Sequence, residues 1–212
     1  IVAWTQAGET HWGVEAIMLS AGTNVEWLID DMGLIDTAAE SHAVAQLCDS
    51  TDGVVFVPAL LGLGTPAWDY GARGTLLGLT RGTGRPHIVR AVLEGIAHRG
   101  ADMVAAAEAD TGLSIPTLRI DGGMSQNPTF VQALADATGK PVEVSPVVES
   151  TTLGAGFLAG TAVGTWPDLA ATAEAFAPAK SVEPGEPLDR KVWAEALGRA
   201  SAWIPELSAL DF

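Results

Sequence analysis

Leu118-Arg-Ile-Asp-Gly-Gly-Met-Ser-Gln-Asn-Pro-Thr-Phe-Val-Gln-Ala-Leu-Ala-Asp-Ala-Thr-Gly139 is the stretch whose reading decides the fold. It divides into a short buried strand ending at Asp121, a turn holding Gly122 and Gly123, and a helix. The helix start is strongly marked: Asn127 is a good N-cap, and Pro128 follows where a missing N–H and a fixed φ cost nothing. Phe130, Val131, Leu134 and Ala135 then recur at helical spacing, and Gly139 supplies the stop. A glycine pair between strand and helix lets a ligand approach the backbone, where free N–H groups and the helix dipole favour an anion such as phosphate. The same pair also serves simply to make a tight turn, and this segment alone leaves both readings open. Neither common nucleotide motif explains it. The third glycine and following acidic residue of the dinucleotide fingerprint are missing, and no Gly-x-x-x-x-Gly-Lys-Ser/Thr loop occurs in the chain.

Around this stretch lie 212 residues, 48% of them hydrophobic, enough for one good core with room for a small second lobe. With 26 Asp and Glu against 11 Lys and Arg the formal charge is -15, which repels a nucleic-acid backbone and an anionic membrane over most of the surface. No nucleic-acid or membrane partner is therefore expected, and any phosphate has to be held locally, by backbone N–H groups. The single cysteine, Cys48, sits in an apolar helical pattern, reads as packing, and fits a reducing compartment. No secretory leader is visible and no apolar run approaches the ~20 residues of a membrane span, so a cytoplasmic location is expected. The chain opens on Ile1 directly in a strand-like run, which suggests a fragment of a longer product.

Upstream of the glycine turn, residues Ile1 to Trp4 and His11 to Leu19 read as two strands of a hairpin around Gln6-Ala-Gly-Glu9. Gly22 then opens a helix with Val25, Leu28, Ile29 and Met32 inward, and Gly22 and Glu26 share a flank near its start. Taken alone, Gly22 reads as close helix–sheet packing. Thr37 to Ser50 forms a second helix with Val44, Leu47 and Cys48 inward, followed by a strand from Val54 to Val57. Leu60 to Leu79 is a long glycine-rich ordered loop in which Trp68 reads as a packing anchor and Asp69 as a turn cap.

Pro86 to Glu108 is the longest helix, with Val89, Val92, Leu93, Ile96, Gly100, Met103 and Ala107 along one face. His87, Glu94 and His98 share the other face, but a rise of ~1.5 Å per residue sets the two histidines roughly 16 Å apart, too far for one metal. A solvated face with an Arg90–Glu94 pair is the expectation, and no metal site is assigned. Downstream, Val142 to Val144 is a buried strand, and Ser150 caps a helix whose Gly154, Ala155, Gly156, Ala159 and Gly160 suit close packing. After a short helix past Trp166-Pro167, a Pro-containing connector from Ala177 to Pro187 leads to a last helix from Leu188 to Ile204. Strands that begin as a hairpin and then alternate with helices give an α/β domain with a mixed sheet, its ligand at the C-terminal ends of the strands.

A series of segments also resembles the C-terminal half of the carbohydrate kinases of the glycerol and xylulose kinase family, the FGGY type, and among these the glycerol kinases. The segments are Ala21-Gly-Thr-Asn-Val-Glu-Trp-Leu, Val57-Pro-Ala, Gly62-Leu-Gly-Thr-Pro-Ala-Trp-Asp, Ala72-Arg-Gly and Gly78-Leu-Thr-Arg-Gly. They continue with Arg90-Ala-Val-Leu-Glu-Gly-Ile-Ala, Asp121-Gly-Gly-Met-Ser-Gln-Asn, Glu149-Ser-Thr-Thr-Leu-Gly-Ala-Gly and Leu158-Ala-Gly. The resemblance implies an actin-like, ribonuclease-H-like ATPase domain spanning residues 1–212, ATP with Mg²⁺ as cofactors, and phosphoryl transfer to glycerol or a related polyol or sugar. It places nucleotide contacts at Gly22 and Glu26 on one side and at Gly122, Gly123 and Asn127 on the other. It also places the catalytic aspartate, the first phosphate-binding hairpin and most of the acceptor site in a domain upstream of Ile1, so no catalytic residue is expected in this chain. Two departures stand out: Glu26 where a glutamine is usual, and Pro66-Ala-Trp-Asp-Tyr where glycerol kinases show Pro-Tyr-Trp-Asp-Pro. A xylulose-type kinase, a non-catalytic nucleotide-binding module on the same fold, and a homo-oligomer stay open.

Overall fold

The computed structural model describes residues 1–6, 8–174 and 177–209, and its organising element is a single long helix. The chain runs β1 (Val2–Gln6), β2 (Glu9–Trp12), α1 (Thr23–Asp30), α2 (Glu40–Ala45), β3 (Val55–Val57), β4 (Thr75–Leu77) and α3 (Arg85–Thr111). It continues with β5 (Leu118–Ile120), a 3-10 turn (Gly123–Gln126), α4 (Pro128–Thr138), β6 (Val142–Val144), α5 (Ser150–Ala162) and α6 (Leu169–Glu174). The last elements are β7 (Lys180–Val182), α7 (Arg190–Ala200) and α8 (Pro205–Ser208).

α3 starts where Nδ1 of His87 accepts the N–H of Gly84 at 3.0 Å, and ends at Gly112 with φ 68°. Two of its glycines let neighbours approach: a Cβ on Gly95 would lie 2.2 Å from the Phe56 carbonyl oxygen, and one on Gly100 2.7 Å from Leu134. Val89, Val92, Leu93 and Ile96 of α3 join Val25 and Leu28 of α1, Phe56 of β3 and Val131 and Leu134 of α4 in the main core. A smaller core joins Trp193, Ala196 and Ala200 of α7 to Val57, Leu63 and Ala72.

The strands fall into three small sheets rather than one. β5 and β6 pair parallel, with α4 as their crossover and Leu118 opposite Val142, while β7 joins β6 antiparallel, so this sheet is mixed as expected. β3 and β4 pair antiparallel. β1 and β2 form the expected hairpin, stacked through Trp4 and His11 at 4.8 Å, but β2 stops at Trp12. Beyond it the backbone leaves the hairpin and pairs with the glycine-rich loop, Thr65 N–H donating to the Ile17 carbonyl at 3.0 Å. Ala7, in the expected turn, lies outside the described residues.

Several expectations are corrected. α1 and α2 are shorter than their patterns, leaving Met32 and Leu47 exposed beyond the helix ends. Trp68 is exposed, while Asp69 is buried and caps more than a turn: it accepts from the N–H groups of Gly71 and Ala72 at 2.9 Å, from Ala202 N–H at 2.7 Å, and from the Ser208 hydroxyl. The glycines of this loop allow backbone contact; a Cβ on Gly71 would lie 2.2 Å from the Ile204 carbonyl oxygen. α5 keeps the expected close approach only at its end, where a Cβ on Gly160 would lie 2.1 Å from the Trp166 ring; it buries none of its residues, and a Cβ on Gly154 or Gly156 would meet nothing within 4 Å. Small residues permit close approach but supply too little apolar surface to compel it.

The face of α3 expected to be solvated is covered by α7. His98 is buried, stacks on Trp193 with ring centroids 4.8 Å apart, and lies 2.8 Å from Arg190. The Arg90–Glu94 pair is present at 2.8 Å, though partly buried.

Candidate functional site

Both glycine-opened helix starts face one cleft of about 470 Å³. On one side stands the start of α1, with Gly22 at its N-cap and Glu26 in its first turn. On the other stand Gly123, Met124 and Gln126 of the 3-10 turn, then Asn127 and Pro128 at the start of α4. The cleft therefore opens beyond the C-terminal end of β5, where a parallel βα unit places its ligands.

The two glycines of the turn have different reasons. Gly122 has φ 78°, a left-handed conformation, and its N–H donates to the Val148 carbonyl at 3.0 Å, so it makes the turn and stands just behind the cleft wall. Gly123 has no such φ, lines the cleft, and a Cβ there would meet nothing within 4 Å. Its bare backbone faces open space. Gly22 is alike: a Cβ would meet only the Met124 side chain, at 3.9 Å, so the close-packing account of this glycine does not hold.

Asn127 ties the wall together. Its Oδ1 accepts the Phe130 N–H at 3.1 Å and its Nδ2 donates to the Ser41 hydroxyl at 2.8 Å, joining α4 to α2. Glu26 is exposed and sits where the α1 dipole favours a carboxylate, which by itself justifies an acidic residue there. Three of the four histidines have structural partners away from the cleft: His11 on Trp4, His87 at the α3 cap, His98 against Trp193. Among the described residues no group of three His, Cys, Asp or Glu could hold a metal.

The motif reading missed the third wall. Ala38, Ala39, Ser41 and His42, at and before α2, complete the cleft, and with Val25, Met124 and Pro128 they make most of its lining apolar. No local signal marks them, because they reach the cleft only through the folding of α2 against α4. A second cavity of about 430 Å³ opens beneath α5, among Ile120, Val144, Leu153 and Phe157. It gathers none of the residues expected at the nucleotide, although Asp121, Ser150, Leu153 and Gly154 of the quoted segments line it.

Residues 2–163 match the model of the FGGY family of carbohydrate kinases, C-terminal domain. The chain belongs to that family. Among curated FGGY relatives, the glycerol kinase of Geobacillus sp. (strain WCH70) is 44% identical over 183 residues, covering 86% of this chain and 37% of the relative. That of Deinococcus radiodurans is 41% identical over 214 residues, covering 98% and 42%. The structure of Plasmodium falciparum glycerol kinase with ADP superposes with a TM-score of 0.76 at 36% identity, over 84% of this chain and 37% of that one. Gluconate kinase from Lactobacillus acidophilus follows the same fold with a TM-score of 0.72 at 26% identity, over 92% and 39%. The chain thus has the actin-like α/β fold of the FGGY kinases and spans about two fifths of the length of the relatives it matches. Among the described residues no helix is long and apolar enough to cross a membrane.

Proposed function

We propose that this chain is the ATP-binding half of a kinase that transfers the γ-phosphate of ATP to a hydroxyl of glycerol or a related polyol. The observation that carries this is the single cleft in which the bare backbones of Gly22 and Gly123 face each other across two helix starts. Helix N-termini with accessible N–H groups suit a polyanion where side-chain cations are few, and this cleft has no Lys or Arg on its walls. The apolar wall suits the nucleoside end. Glu26 repels phosphate, so it faces the ribose or base, with the phosphates running past Gly123.

Mg²⁺ would be held chiefly by the nucleotide phosphates, since no ready cluster of ligands exists among the described residues. When bound, it offsets charge on the transferring phosphoryl group. Gly122, by fixing the turn, keeps Gly123 where the nucleotide can reach it. The acceptor and the base that takes its proton belong in this reading to a second actin-like domain. Support for glycerol as acceptor comes from the names of the relatives at more than 40% identity, while the xylulose kinases of matching fold are 20–28% identical. A cytoplasmic location is part of the proposal, supported by the single free cysteine.

Replacing Gly123 by Val tests the placement, because the new side chain fills space that the protein itself leaves open. ADP affinity measured by calorimetry is expected to fall more than about tenfold, or ~1.4 kcal/mol. Unchanged affinity in a variant with native circular dichroism would overturn it.

A further inference from the structure

His42 is the histidine that the scaffold does not fully account for. It stands half-buried on the α2 wall of the cleft, where Nδ1 lies 2.8 Å from the Thr129 hydroxyl, and that hydroxyl accepts from Nε2 of Gln46 at 3.2 Å. Thr129 is buried, so its own proton needs an acceptor, and among the described residues Nδ1 of His42 is the one its hydroxyl meets. A neutral imidazole that accepts at Nδ1 carries its proton on Nε2. Thr129 and Gln46 line a neighbouring groove and not the cleft, whereas His42 borders both. With Nδ1 held by Thr129 and no hydrogen-bond partner at Nε2 among the described residues, the Nε2–H is the ring group left for a ligand in the cleft.

We propose that His42 reads the base of the bound nucleotide: its Nε2–H donates to an unprotonated ring nitrogen of the purine lying on the apolar wall of Ala38, Ala39 and Met124. The inference rests on the nucleotide reading of this cleft and adds to it a specificity-determining residue. A ring fixed in this tautomer donates and does not accept, so it favours a base edge with a bare nitrogen and rejects one with an N–H. Neither a phosphate nor a ribose needs such a donor on an apolar wall, since the helix starts serve the first and Glu26 the second. Gln46 and Thr129 act behind His42 as positioning residues, holding the tautomer.

The test titrates the 212-residue chain and its His42→Phe and His42→Gln variants with ADP and with its 1-deaza, 3-deaza and 7-deaza analogues. His42→Phe keeps a flat ring without the donor and is expected to weaken ADP about tenfold, with His42→Gln, which retains an N–H donor, recovering part of the loss. One deaza analogue should bind the unsubstituted chain about tenfold more weakly than ADP yet lose nothing further in His42→Phe, which identifies the nitrogen that is read. Equal ADP affinity in native-like His42→Phe, or losses that simply add for all three analogues, overturns the inference while leaving the cleft as the nucleotide site. No ADP binding to the unsubstituted chain removes the nucleotide reading itself, and the inference with it.

Discussion

Asp69 shows how much one side chain can organise. Burial acts to raise the pKa of its carboxyl, but this is outweighed by hydrogen bonds from Ser208 and from the N–H groups of Ala202, Ala72 and Gly71, which hold it below the usual carboxylate range. One carboxylate thus closes the glycine-rich loop and docks the C-terminal segment on it. Replacing it by Ala leaves several inward-facing donors without an acceptor, so stability should fall by on the order of 3 kcal/mol, read from the urea midpoint. Because the folded-state pKa is depressed, the stabilisation is present above the unfolded carboxylate value and lost as pH falls through the lower folded value. Its neighbour Trp68 is exposed at 46%, so truncating it should change the midpoint little by comparison. Both residues were visible in one motif. Which of them is buried follows only from the C-terminal segment, more than a hundred residues away in sequence, arriving over Asp69.

At the scale of elements, the contact of α3 with α7 depends on a partly buried polar network. Asp102 pairs with Arg99 at 2.8 Å and with Arg190, and accepts from the Trp193 indole at 3.1 Å; Arg99 also donates to the Thr65 carbonyl at 2.6 Å. His98 lies inside this network, and burial, with the nearby Arg190 charge, lowers its pKa to about 4. It is therefore neutral when folded over a range in which the unfolded chain binds a proton. Stability should fall as pH drops from about 6.5 towards 4, the His98 share reaching about 3 kcal/mol at the lower end. Glu94 works in the opposite sense, since burial raises its pKa despite Arg90 and protonation at low pH relieves its penalty. Comparison with His98→Phe isolates the histidine: thermal melts of the variant should lose this part of the slope between pH 6.5 and 4. A variant with the same slope would show that His98 does not titrate in this way.

For the whole molecule the expectation concerns activity. Phosphoryl transfer needs an acceptor, a base and the γ-phosphate held in line, and closure around them to exclude water. In the proposed reading the cleft offers surfaces for the nucleotide only; Glu26, the one carboxylate on its walls among the described residues, stands at the start of α1 beside apolar surface. The chain also spans about two fifths of its relatives' length. Incubated with Mg²⁺-ATP and glycerol, the 212-residue chain is expected to form no glycerol phosphate above background, against a full-length glycerol kinase as control. Coupled turnover near the control rate would require an acceptor site and a base within these residues.

Local chemistry by itself determined the strand, turn and capped helix from Leu118 to Gly139, because Asn127 caps a nearby N–H with its own side chain and Pro128 and Gly139 act through their own backbones. Ordered motifs determined the family, and Gly22, Glu26, Gly123 and Asn127 do meet on one cleft, with Gly122 as the hinge behind it. Periodicity failed where burial comes from a distant partner. α7 covers the His98 face of α3, and nothing in the α3 pattern encodes that; α5 is closely approached only at Gly160, by Trp166, and buries none of its residues. The third wall of the cleft was likewise decided by the tertiary structure, since Ser41 and His42 become cleft residues only when Asn127 and Thr129 hydrogen-bond them across 86 and 87 positions of chain. A sequence states what each residue prefers beside its neighbours, whereas a site is made of residues whose neighbours are chosen by folding.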